Sequence, residues 1–392
     1  MDEKSLKPQL RFKGFADAWE QRKYEDLGEP LSGGTLNYDS LNENGSYKCV
    51  LYGELYTRYD CVIKDVFYRT NQKGNTIFRN DILFPQSTTV DALSLISPAC
   101  LNDETAETSG VFVIRPKKEI DGNFVAYYTK GNPNQRYRLS KKAQGLTIVH
   151  LYYQSIKDEQ ICIPSYPEQK QISSLFLKID NLITLHQRKL DKLSNVKKAL
   201  LEKMFPKNDS DVPEIRFKGF TDAWEQRKLN ECAEIIGGGT PSTSISEYWN
   251  GNIDWYAPAE MEGKRYADGS VKKITDLGLK NSSAKMLPAN KTILFTSRAG
   301  IGKMAILVKP ACTNQGFQSL VLKDDIAPYF IYSMESRIKN KAERIAAGST
   351  FLEISGKLLG CISLHMPKNT EQQKIGTFFS NLDNLITLHQ RK

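Results

Sequence analysis

Two segments of the chain, RFKGFADAWEQRK at residues 11–23 and RFKGFTDAWEQRK at residues 216–228, differ at one position only. A second pair, DNLITLHQRK, is identical at residues 180–189 and 383–392. The two pairs have almost equal offsets, 205 residues (216 − 11) and 203 residues (383 − 180). The whole chain is therefore a tandem duplication, with a repeat far longer than the roughly 20–50 residues typical of solenoid proteins.

Between these repeated segments the two copies diverge. The residues after Lys23, YEDLGEPLSGGTLNYDSLNENG, share little with those after Lys228, LNECAEIIGGGTPSTSISEYWNG. A recent duplication with unmutated ends would give the same identities, but neutral drift scatters differences along a chain, whereas here they are confined to one block. The pattern favours one fold used twice, with common ends for common partners and middle parts that recognise different targets.

The composition is that of a soluble globular protein, with 40% hydrophobic and 25% charged residues. At roughly 100–200 residues per domain, the length predicts two or three domains, and the duplication favours two. Lys and Arg total 54 against 45 Asp and Glu, and the resulting net charge of +9 favours a polyanionic partner such as nucleic acid.

The seven cysteines form no C-x-x-C pair and no zinc-type spacing with histidines, so we expect reduced thiols in the cores. The sequence contains no run of roughly eighteen apolar residues, and MDEKSLKPQLRF at its start lacks the apolar region of a signal peptide. We therefore expect a cytoplasmic protein that does not associate with membranes.

A long amphipathic helix is predicted between Pro167 and Pro206, where apolar residues recur at alternating steps of three and four. It would have about 37 residues and span roughly 55 Å. The second copy repeats the start of this apolar seam, and two such stripes bury each other when the helices pair. We expect an antiparallel pair that holds the domains at a fixed distance. The predicted pairing residues are Ile172, Leu175, Ile179, Leu182, Leu193, Ile375, Phe378, Leu382 and Leu385.

His186 and His389 occupy equivalent seam positions, where an apolar residue is expected. The two histidines could fix the register of the helix pair or form a pH-sensitive contact. Alternatively, they could be partly exposed and hydrogen-bonded. The first copy continues past Lys189 with LDKLSNVKKALLEKMF, sixteen residues that have no counterpart after Lys392. We therefore expect the second helix to be shortened and the helix pair to be weaker.

The divergent parts contain short β-type runs, such as NTIFRNDILFPQS at residues 75–87 and KTILFTSRAGIGKMAILV at residues 291–308. These runs predict domains of the α+β fold class. Together with the duplication and the long helices, they predict two similar target-recognition domains in tandem. The domains are separated by two long antiparallel helices that form a coiled-coil-like spacer with pseudo-twofold symmetry. The predicted boundaries are residues 1–163 and 209–366 for the domains, and residues 164–208 and 367–392 for the spacer helices.

Basic stretches occupy corresponding places in the two copies, at residues 124–145 and 327–348. Phosphates are bound by Lys, Arg and main-chain N–H groups, and base edges by Arg, Lys, Asn and Gln. Each such residue taken alone also fits a solvated surface side chain. The candidate DNA contacts are Gln86, Arg136, Arg138, Lys141, Lys142, Gln144 and Thr147 in the first domain, and Thr240, Ser242, Arg265, Arg298, Gln315, Gln318, Arg344 and Thr350 in the second.

Signals for catalysis are weak. GIGKMA at residues 300–305 lacks the first glycine and the Ser or Thr of a phosphate-binding loop, and predicts a tight turn. GGGTP at residues 237–241 lacks dinucleotide-binding spacing, and predicts a flexible loop near DNA. Asp254, Glu262 and Lys264 could hold Mg²⁺ and polarise water, although the first copy has no counterpart. We expect no catalytic residue, metal or cofactor in this chain. The alternatives are a stand-alone Mg-dependent DNA nuclease and a protein-only scaffold.

Several segments together resemble the specificity (S) subunit of type I restriction-modification enzymes. They are the two copies of RFKGF-x-DAWEQRK, GGGTPST followed by EYWNG, NQGFQSL, and EQKQI followed by LDKL and KKALLEKMF. The resemblance covers essentially the whole chain.

The resemblance implies a DNA-recognition subunit. In this family two target-recognition domains each read one half of a bipartite, asymmetric sequence in double-stranded DNA, while paired helices set the unread spacer and dock two modification subunits. It implies a non-catalytic chain whose modification partners carry S-adenosylmethionine and methylate adenine, and whose restriction partners use ATP and Mg²⁺. The variable domains of the family share no motif that fixes the DNA-contact residues, so the candidates above rest on residue type and position.

Overall fold

The computed structural model describes residues 7–36, 38–207, 210–348 and 352–390. The chain divides into two compact units, Met1–Thr184 and Leu185–Lys392, and each contains its own cores of helices and sheets. The predicted tandem of α+β domains is confirmed. Within the described ranges, no helix is long and apolar enough to cross a membrane.

The first unit is built from short strands, short helices and the start of one long helix. Its strands are β1 (Glu20–Lys23), β2 (Gly28–Ser32), β3 (Tyr47–Leu51), β4 (Val62–Ile63), β5 (Tyr68–Thr70), β6 (Asn75–Phe78), β7 (Ile82–Pro85), β8 (Ser87–Thr88), β9 (Ala99–Leu101), β10 (Thr105–Ser109), β11 (Val111–Pro116), β12 (Val149–His150) and β13 (Gln160–Ile163). Its helices are α1 (Tyr24–Leu27), α2 (Glu54–Thr57), α3 (Ala92–Leu95), α4 (Gly122–Gly131), α5 (Pro133–Ser140), α6 (Tyr153–Ile156) and α7 (Tyr166–Lys203), with a 3₁₀ turn at Tyr38–Ser40.

A five-stranded sheet with the order β2-β11-β7-β9-β4 lies at the centre of the first unit. Its middle strand, β7, is buried on both faces, because Phe84 packs in one hydrophobic cluster and Leu83 in another. Phe84 lies opposite Phe112 of β11, and their rings stack with centroids 4.8 Å apart. A four-stranded sheet, β5-β3-β10-β6, completes the domain.

The second unit repeats this plan. Its strands are β14 (Glu225–Lys228), β15 (Ala233–Gly237), β16 (Trp249–Tyr256), β17 (Tyr266–Ala267), β18 (Lys272–Ile274), β19 (Thr292–Phe295), β20 (Met304–Leu307), β21 (Ala311–Thr313), β22 (Gln318–Leu322) and β23 (Ser363–Met366). Its helices are α8 (Leu229–Cys232), α9 (Asp276–Lys280), α10 (Pro328–Ser333), α11 (Glu335–Ile345), α12 (Gly356–Gly360) and α13 (Asn369–Gln390), with 3₁₀ turns at Ser246–Tyr248 and Pro258–Met261.

The central sheet of the second unit has the order β15-β22-β19-β20-β17, with β19 in the middle position that β7 has in the first. Phe295 and Leu294 of β19 again face two different hydrophobic clusters. The accompanying sheet, β18-β16-β21, has three strands instead of four. The divergent sequences therefore form the same central layer.

The identical sequence segments close each domain onto its long helix. Strand β1 pairs antiparallel with β13, and β14 pairs in the same way with β23. Arg11 donates two hydrogen bonds, of 2.6 and 2.7 Å, to the carboxylate of Glu168 at the start of α7. Arg216 donates two of 2.7 Å to Glu371 at the start of α13. The repeated Arg and Glu residues thus form the same bidentate clamp in both copies.

A glutamine follows the clamp carboxylate in each copy and anchors the same helix start. Gln169 accepts a hydrogen bond from the Asp121 amide at 2.9 Å, and Gln372 accepts one from the Ala327 amide at 3.1 Å. Both glutamines are buried and also donate to a main-chain carbonyl five residues earlier in the chain. The two long helices therefore begin with the same hydrogen bonds to their own domains.

Within the second unit, the end of α7 packs antiparallel to α13. The Nδ1 atoms of His186 and His389 lie 3.4 Å apart, and Lys197 forms a 2.5 Å ion pair with Asp383. Further along, the rings of Phe205 and Phe379 are 6.1 Å apart. Since residue numbers rise on one side as they fall on the other, the predicted antiparallel pairing is confirmed for this part of the helices. The histidines form the polar contact that their seam positions suggested.

The predicted seam residues have three kinds of surroundings. Ile375 and Leu382 are buried in the second unit's core, and Leu193 and Phe378 pack against it. Ile172 packs instead against the core of the first domain, because the first turns of α7 cover that domain. The exposed members are Leu175, Ile179, Leu182 and Leu385. For these four, pairing stays a prediction.

All seven cysteines are free, as expected, and five of them are buried. Cys361 is exposed, so the expectation of core thiols is wrong for this residue. It follows α12 at the point where the chain turns into β23.

Candidate nucleic-acid interface

The first domain has an exposed hairpin beside the middle strand of its central sheet. Gln86 follows β7, and its carbonyl accepts a hydrogen bond from the Leu151 amide at 2.9 Å. Just before this contact, Gln144 and His150 exchange main-chain hydrogen bonds of 2.8 and 2.7 Å. Leu146 at the tip is fully exposed. The chain thus projects a short loop from a fixed point on the central sheet.

Glycine is required where this loop begins. Gly145 has φ +115°, a conformation that side chains disfavour. A Cβ atom there would lie 2.0 Å from the carbonyl oxygen of Ile148. The corresponding Gly348 of the second domain has φ +129°. Glycine therefore sets the loop path in both copies.

The second domain holds its hairpin in the same way. The Ser297 carbonyl, after β19, accepts a hydrogen bond from the Ile354 amide at 3.1 Å. Ala347 and Glu353 exchange main-chain hydrogen bonds of 3.1 and 3.0 Å. The candidate Thr350 lies between these two residues in the sequence, outside the described residues. The two domains therefore hold their hairpins by equivalent main-chain hydrogen bonds, although their sequences differ.

All seven candidates in the first domain lie on this hairpin or on elements next to it. Gln144 and Thr147 are exposed on the hairpin, and Gln86 lies at its base. Arg136 of α5 donates to the Leu93 carbonyl of α3 at 3.2 Å. Lys141, at the end of α5, lies 4.5 Å from the ring centre of Tyr137, which is itself exposed. Cations, an aromatic ring and amide groups thus occur together on this side.

Arg138 and Lys142 have partners inside the domain. Arg138 donates to the Gln160 carbonyl of β13 at 2.8 Å and also to the side chain of Gln135. Lys142 forms a 2.8 Å ion pair with Glu159. These contacts hold α5 against the last strand of the domain, so both residues have a structural function whether or not they contact DNA.

In the second domain, four candidates surround the end of β15. The hydroxyl of Thr240 donates to the side chain of Gln315, and Gln318 pairs with Gly237 at the end of that strand. Ser242 contacts Ser244 at 2.8 Å. These short polar side chains, unlike the basic groups of the first domain, offer both donors and acceptors to a ligand.

The three candidate arginines of this domain lie in different surroundings. Arg344 is exposed in the last turn of α11, and Arg298 follows Ser297 in the turn between β19 and β20. Arg265 donates to the Asn384 side chain of α13 at 2.6 Å and lies 4.9 Å from the Tyr266 ring centre. Arg265 therefore secures α13, whereas Arg298 and Arg344 form no side-chain hydrogen bond or ion pair with another described residue.

The glycine-rich segments behave differently from each other. In GIGKMA, Gly300 and Gly302 have φ +99° and +90° and form the turn between β19 and β20, so the predicted tight turn is confirmed. In GGGTP, a Cβ on Gly238 would lie 1.9 Å from the Asn314 carbonyl oxygen, and one on Gly239 would lie 2.3 Å from the Ala284 nitrogen. The expectation of a flexible loop is wrong, because this segment is packed against other backbone.

The carboxylates of the nuclease alternative have other partners. Asp254 accepts hydrogen bonds from Ser270 and forms a 3.2 Å ion pair with Lys273. Glu262 forms an ion pair with Lys303. Among the described residues, no group of three or more His, Cys, Asp or Glu could hold a metal ion. The geometry gives this alternative no support.

Three interactions that the sequence analysis missed connect the recognition domains to the helices. Tyr127 donates to Asp180, and Tyr329 donates to Asp383 at 2.8 Å. Burial and the Asp383 carboxylate raise the pKa of Tyr329. Arg337 donates to the carbonyls of Pro206 and Leu201, at 2.8 and 3.3 Å, just where α7 ends. Asp180 and Asp383 belong to the identical DNLITLHQRK segments, which was the available signal for two of these contacts.

Both halves of the chain match one protein family. The family model described as "Type I restriction modification DNA specificity domain" matches residues 16–195 and again residues 221–392. Since these matches cover most of the sequence, the chain belongs to this family, as a tandem of two specificity domains.

The specificity subunits of two type I restriction enzymes are similar to part of this chain. The type I restriction enzyme MjaIX specificity subunit of Methanocaldococcus jannaschii is 37% identical over 167 residues, which are 42% of this chain and 38% of that protein. The EcoR124I/EcoR124II specificity subunit of Escherichia coli is 30% identical over 167 residues, which are 41% of each protein. These alignments span about two fifths of the relatives' lengths.

The fold also matches a solved structure along nearly the full chain. The crystal structure of a type I restriction-modification system S subunit from M. genitalium superimposes with a TM-score of 0.63 at 16% identity, covering 98% of this chain and 94% of that one. This similarity supports the fold assignment.

Proposed function

We propose that the chain is the DNA sequence-recognition subunit of a type I restriction-modification complex. The observation that carries the proposal is that equivalent sheets in the two domains hold equivalent hairpins whose side chains differ. The paired residues are Gln144 and His150 in the first domain and Ala347 and Glu353 in the second. Each domain would read one half of a bipartite, asymmetric target in double-stranded DNA. Membership of the specificity family supports this assignment.

The first domain's hairpin side has the chemistry that DNA binding needs. Arg136 and Lys141 supply positive charge for phosphates, while Gln86 and Gln144 offer amide groups that suit adenine edges. The net charge of +9 supplies the salt-dependent part of the affinity. In the second domain Arg298, Arg344 and Gln315 would have the corresponding functions.

The partners follow from the same proposal. The paired helices would set the spacing of the two half-sites and dock two modification subunits. Those subunits would bind S-adenosylmethionine and methylate adenine, and restriction subunits would use ATP and Mg²⁺, so this chain itself would catalyse nothing and would act in the cytoplasm. We also propose the domain boundaries 1–163 and 209–366, with spacer helices 164–208 and 367–392.

The test is to co-express the chain with a type I modification subunit and to map methylated adenines across the genome by single-molecule sequencing. We expect one bipartite motif with a fixed gap. A variant in which residues 24–163 come from another family member should change one half-site and leave the other and the gap unchanged. A stable complex that methylates no defined motif, or an exchange that alters both half-sites, would refute the proposal.

A further inference from the structure

The hairpin of the first domain has an apolar tip. Leu146 at the turn is fully exposed, and Ile148 on the returning arm is 49% exposed. The next residue, Val149, is buried. The side chains that the hairpin presents at its tip therefore include two large aliphatic groups in contact with water.

The apolar tip continues into the segments that support the hairpin. Strand β12 of the returning arm pairs antiparallel with β8. Val90, just after β8, and Leu93 of α3 are exposed, as is Tyr152 just after β12. An exposed apolar patch of this kind, in contrast to single scattered residues, marks a surface that a ligand covers.

The position of the tip is fixed by the backbone. Val149 pairs with Thr88 and His150 with Ser87 in the ladder between β12 and β8. The close approach of Gly145 to the Ile148 carbonyl sets the path of the turn. Leu146 is thus presented at a defined place relative to the central sheet.

Positive charges border the apolar patch. Helix α5 carries Arg136 and Lys141, and Arg136 lies against the patch because it donates to the Leu93 carbonyl at 3.2 Å. The nearby Asp91 carboxylate caps α3 by accepting a hydrogen bond from the Ser94 amide at 2.7 Å. Cations beside an apolar tip suit DNA, whose phosphates lie on either side of the base edges.

The shape of the hairpin selects the major groove. Its two arms run side by side, since Gln144 and His150 exchange main-chain hydrogen bonds. Two paired backbones lie roughly 5 Å apart before side chains are added, so the hairpin is too wide for a minor groove of roughly 6 Å. The major groove, roughly 12 Å wide, admits a two-stranded ribbon.

An apolar side chain in the major groove has a defined partner. The C5 methyl group of thymine is the apolar group that base pairs present there, and the paired adenine presents N7 and N6 to an amide side chain. Gln144, two residues before Leu146, is exposed and carries such an amide. The tip therefore matches the major-groove edge of an A·T pair.

We propose that Leu146 contacts the methyl group of a thymine in the first half-site and is a specificity-determining residue. This inference rests on the proposed function, because it requires the first domain to bind a half-site in double-stranded DNA. In the second copy, Ser349 follows Gly348 where Leu146 follows Gly145. We therefore expect this position to read a thymine methyl group in the first half-site only.

The test uses the full chain in complex with a type I modification subunit, after genome mapping has given both half-sites. Fluorescence anisotropy measures binding to duplexes in which deoxyuridine replaces each thymine of the first half-site in turn. Each replacement removes one methyl group and keeps the hydrogen-bonding groups. We expect one replacement to weaken binding about fourfold, the equivalent of about 0.8 kcal/mol for one buried methyl group.

A double-mutant cycle assigns this loss to Leu146. The Leu146→Ala variant should bind the thymine duplex more weakly and should no longer distinguish it from the deoxyuridine duplex. Leu10→Ala is the same change at an exposed leucine outside the hairpin and should keep the full difference. Genome mapping with Leu146→Ala should show a relaxed preference at that one position, with the second half-site and the gap unchanged.

Two results would overturn the inference and leave the proposed function standing, because the bipartite motif is mapped first. One is that no deoxyuridine replacement in the first half-site weakens binding by more than about twofold. The other is that Leu146→Ala weakens binding to both duplexes equally, so that the difference between them persists. A complex that methylates no defined motif would instead refute the proposed function, and this inference with it.

Discussion

Breaking the clamp between Arg216 and Glu371 should destabilise the second unit strongly. Both carboxylate oxygens of Glu371 accept hydrogen bonds from Arg216 at 2.7 Å, and the Glu371 side chain is only 1% exposed. Replacing Arg216 with alanine leaves a buried carboxylate without its partner, which costs about 3 kcal/mol or more. At roughly 2–4 °C per kcal/mol for a unit of this size, Tm should fall by roughly 6–12 °C.

Differential scanning calorimetry measures this change, and two variants serve as controls. The double variant Arg216→Ala with Glu371→Ala removes the charge together with its partner, so it should be less destabilised than Arg216→Ala alone. Arg11→Ala breaks the equivalent clamp and should lower the transition of the first unit instead. A shift below about 2 °C for Arg216→Ala, or a double variant that loses as much as the two single variants added together, would refute the reasoning.

Further outcomes are expected from single changes. Phe205→Ala should destabilise the second unit by about 3–5 kcal/mol in urea unfolding, because its ring is buried among other aromatic rings; a loss below about 1 kcal/mol would contradict that packing. Lys141→Ala should weaken binding to all DNA sequences alike and lower the salt slope by about 1, measured by titration at several salt concentrations; an altered methylation motif would contradict a phosphate contact. Titration of the native protein with a thiol reagent should find that Cys361 reacts first, because it is exposed. Burial raises the pKa of Cys49 to about 12 and that of Cys312 to about 11, so these thiols form little reactive thiolate. The Cys361→Ser variant should therefore lose the fast reaction.

The tandem arrangement of two similar domains could be predicted from the sequence because the same segments occur in both halves of the chain. The identical segments revealed the duplication, and the regular apolar spacing between Pro167 and Pro206 predicted a helix that extends from Tyr166 to Lys203. The order of the strands could not be obtained in this way, since the strands are short and pair with partners far away in sequence.

The candidate site was harder to predict, because residue type does not reveal what a side chain contacts. Arg265 and Arg136 look alike in the sequence, yet Arg265 is bound to Asn384 of a spacer helix, while Arg136 lies near the hairpin. Arg337 was missed because its partners are main-chain carbonyls, which leave no trace in side-chain patterns. The repeated Asp180 and Asp383 were the better guides to contacts.

The two hairpins are attached to their sheets through main-chain atoms. The Leu151 amide bonds to the Gln86 carbonyl, and the Ile354 amide bonds to the Ser297 carbonyl, so neither attachment depends on which side chains the loop carries. Mutations in such a loop, except at Gly145 and Gly348, can change its chemistry at little cost to folding. A lineage can therefore acquire new target preferences by substitution or by recombination of whole segments, while natural selection maintains the same supporting framework.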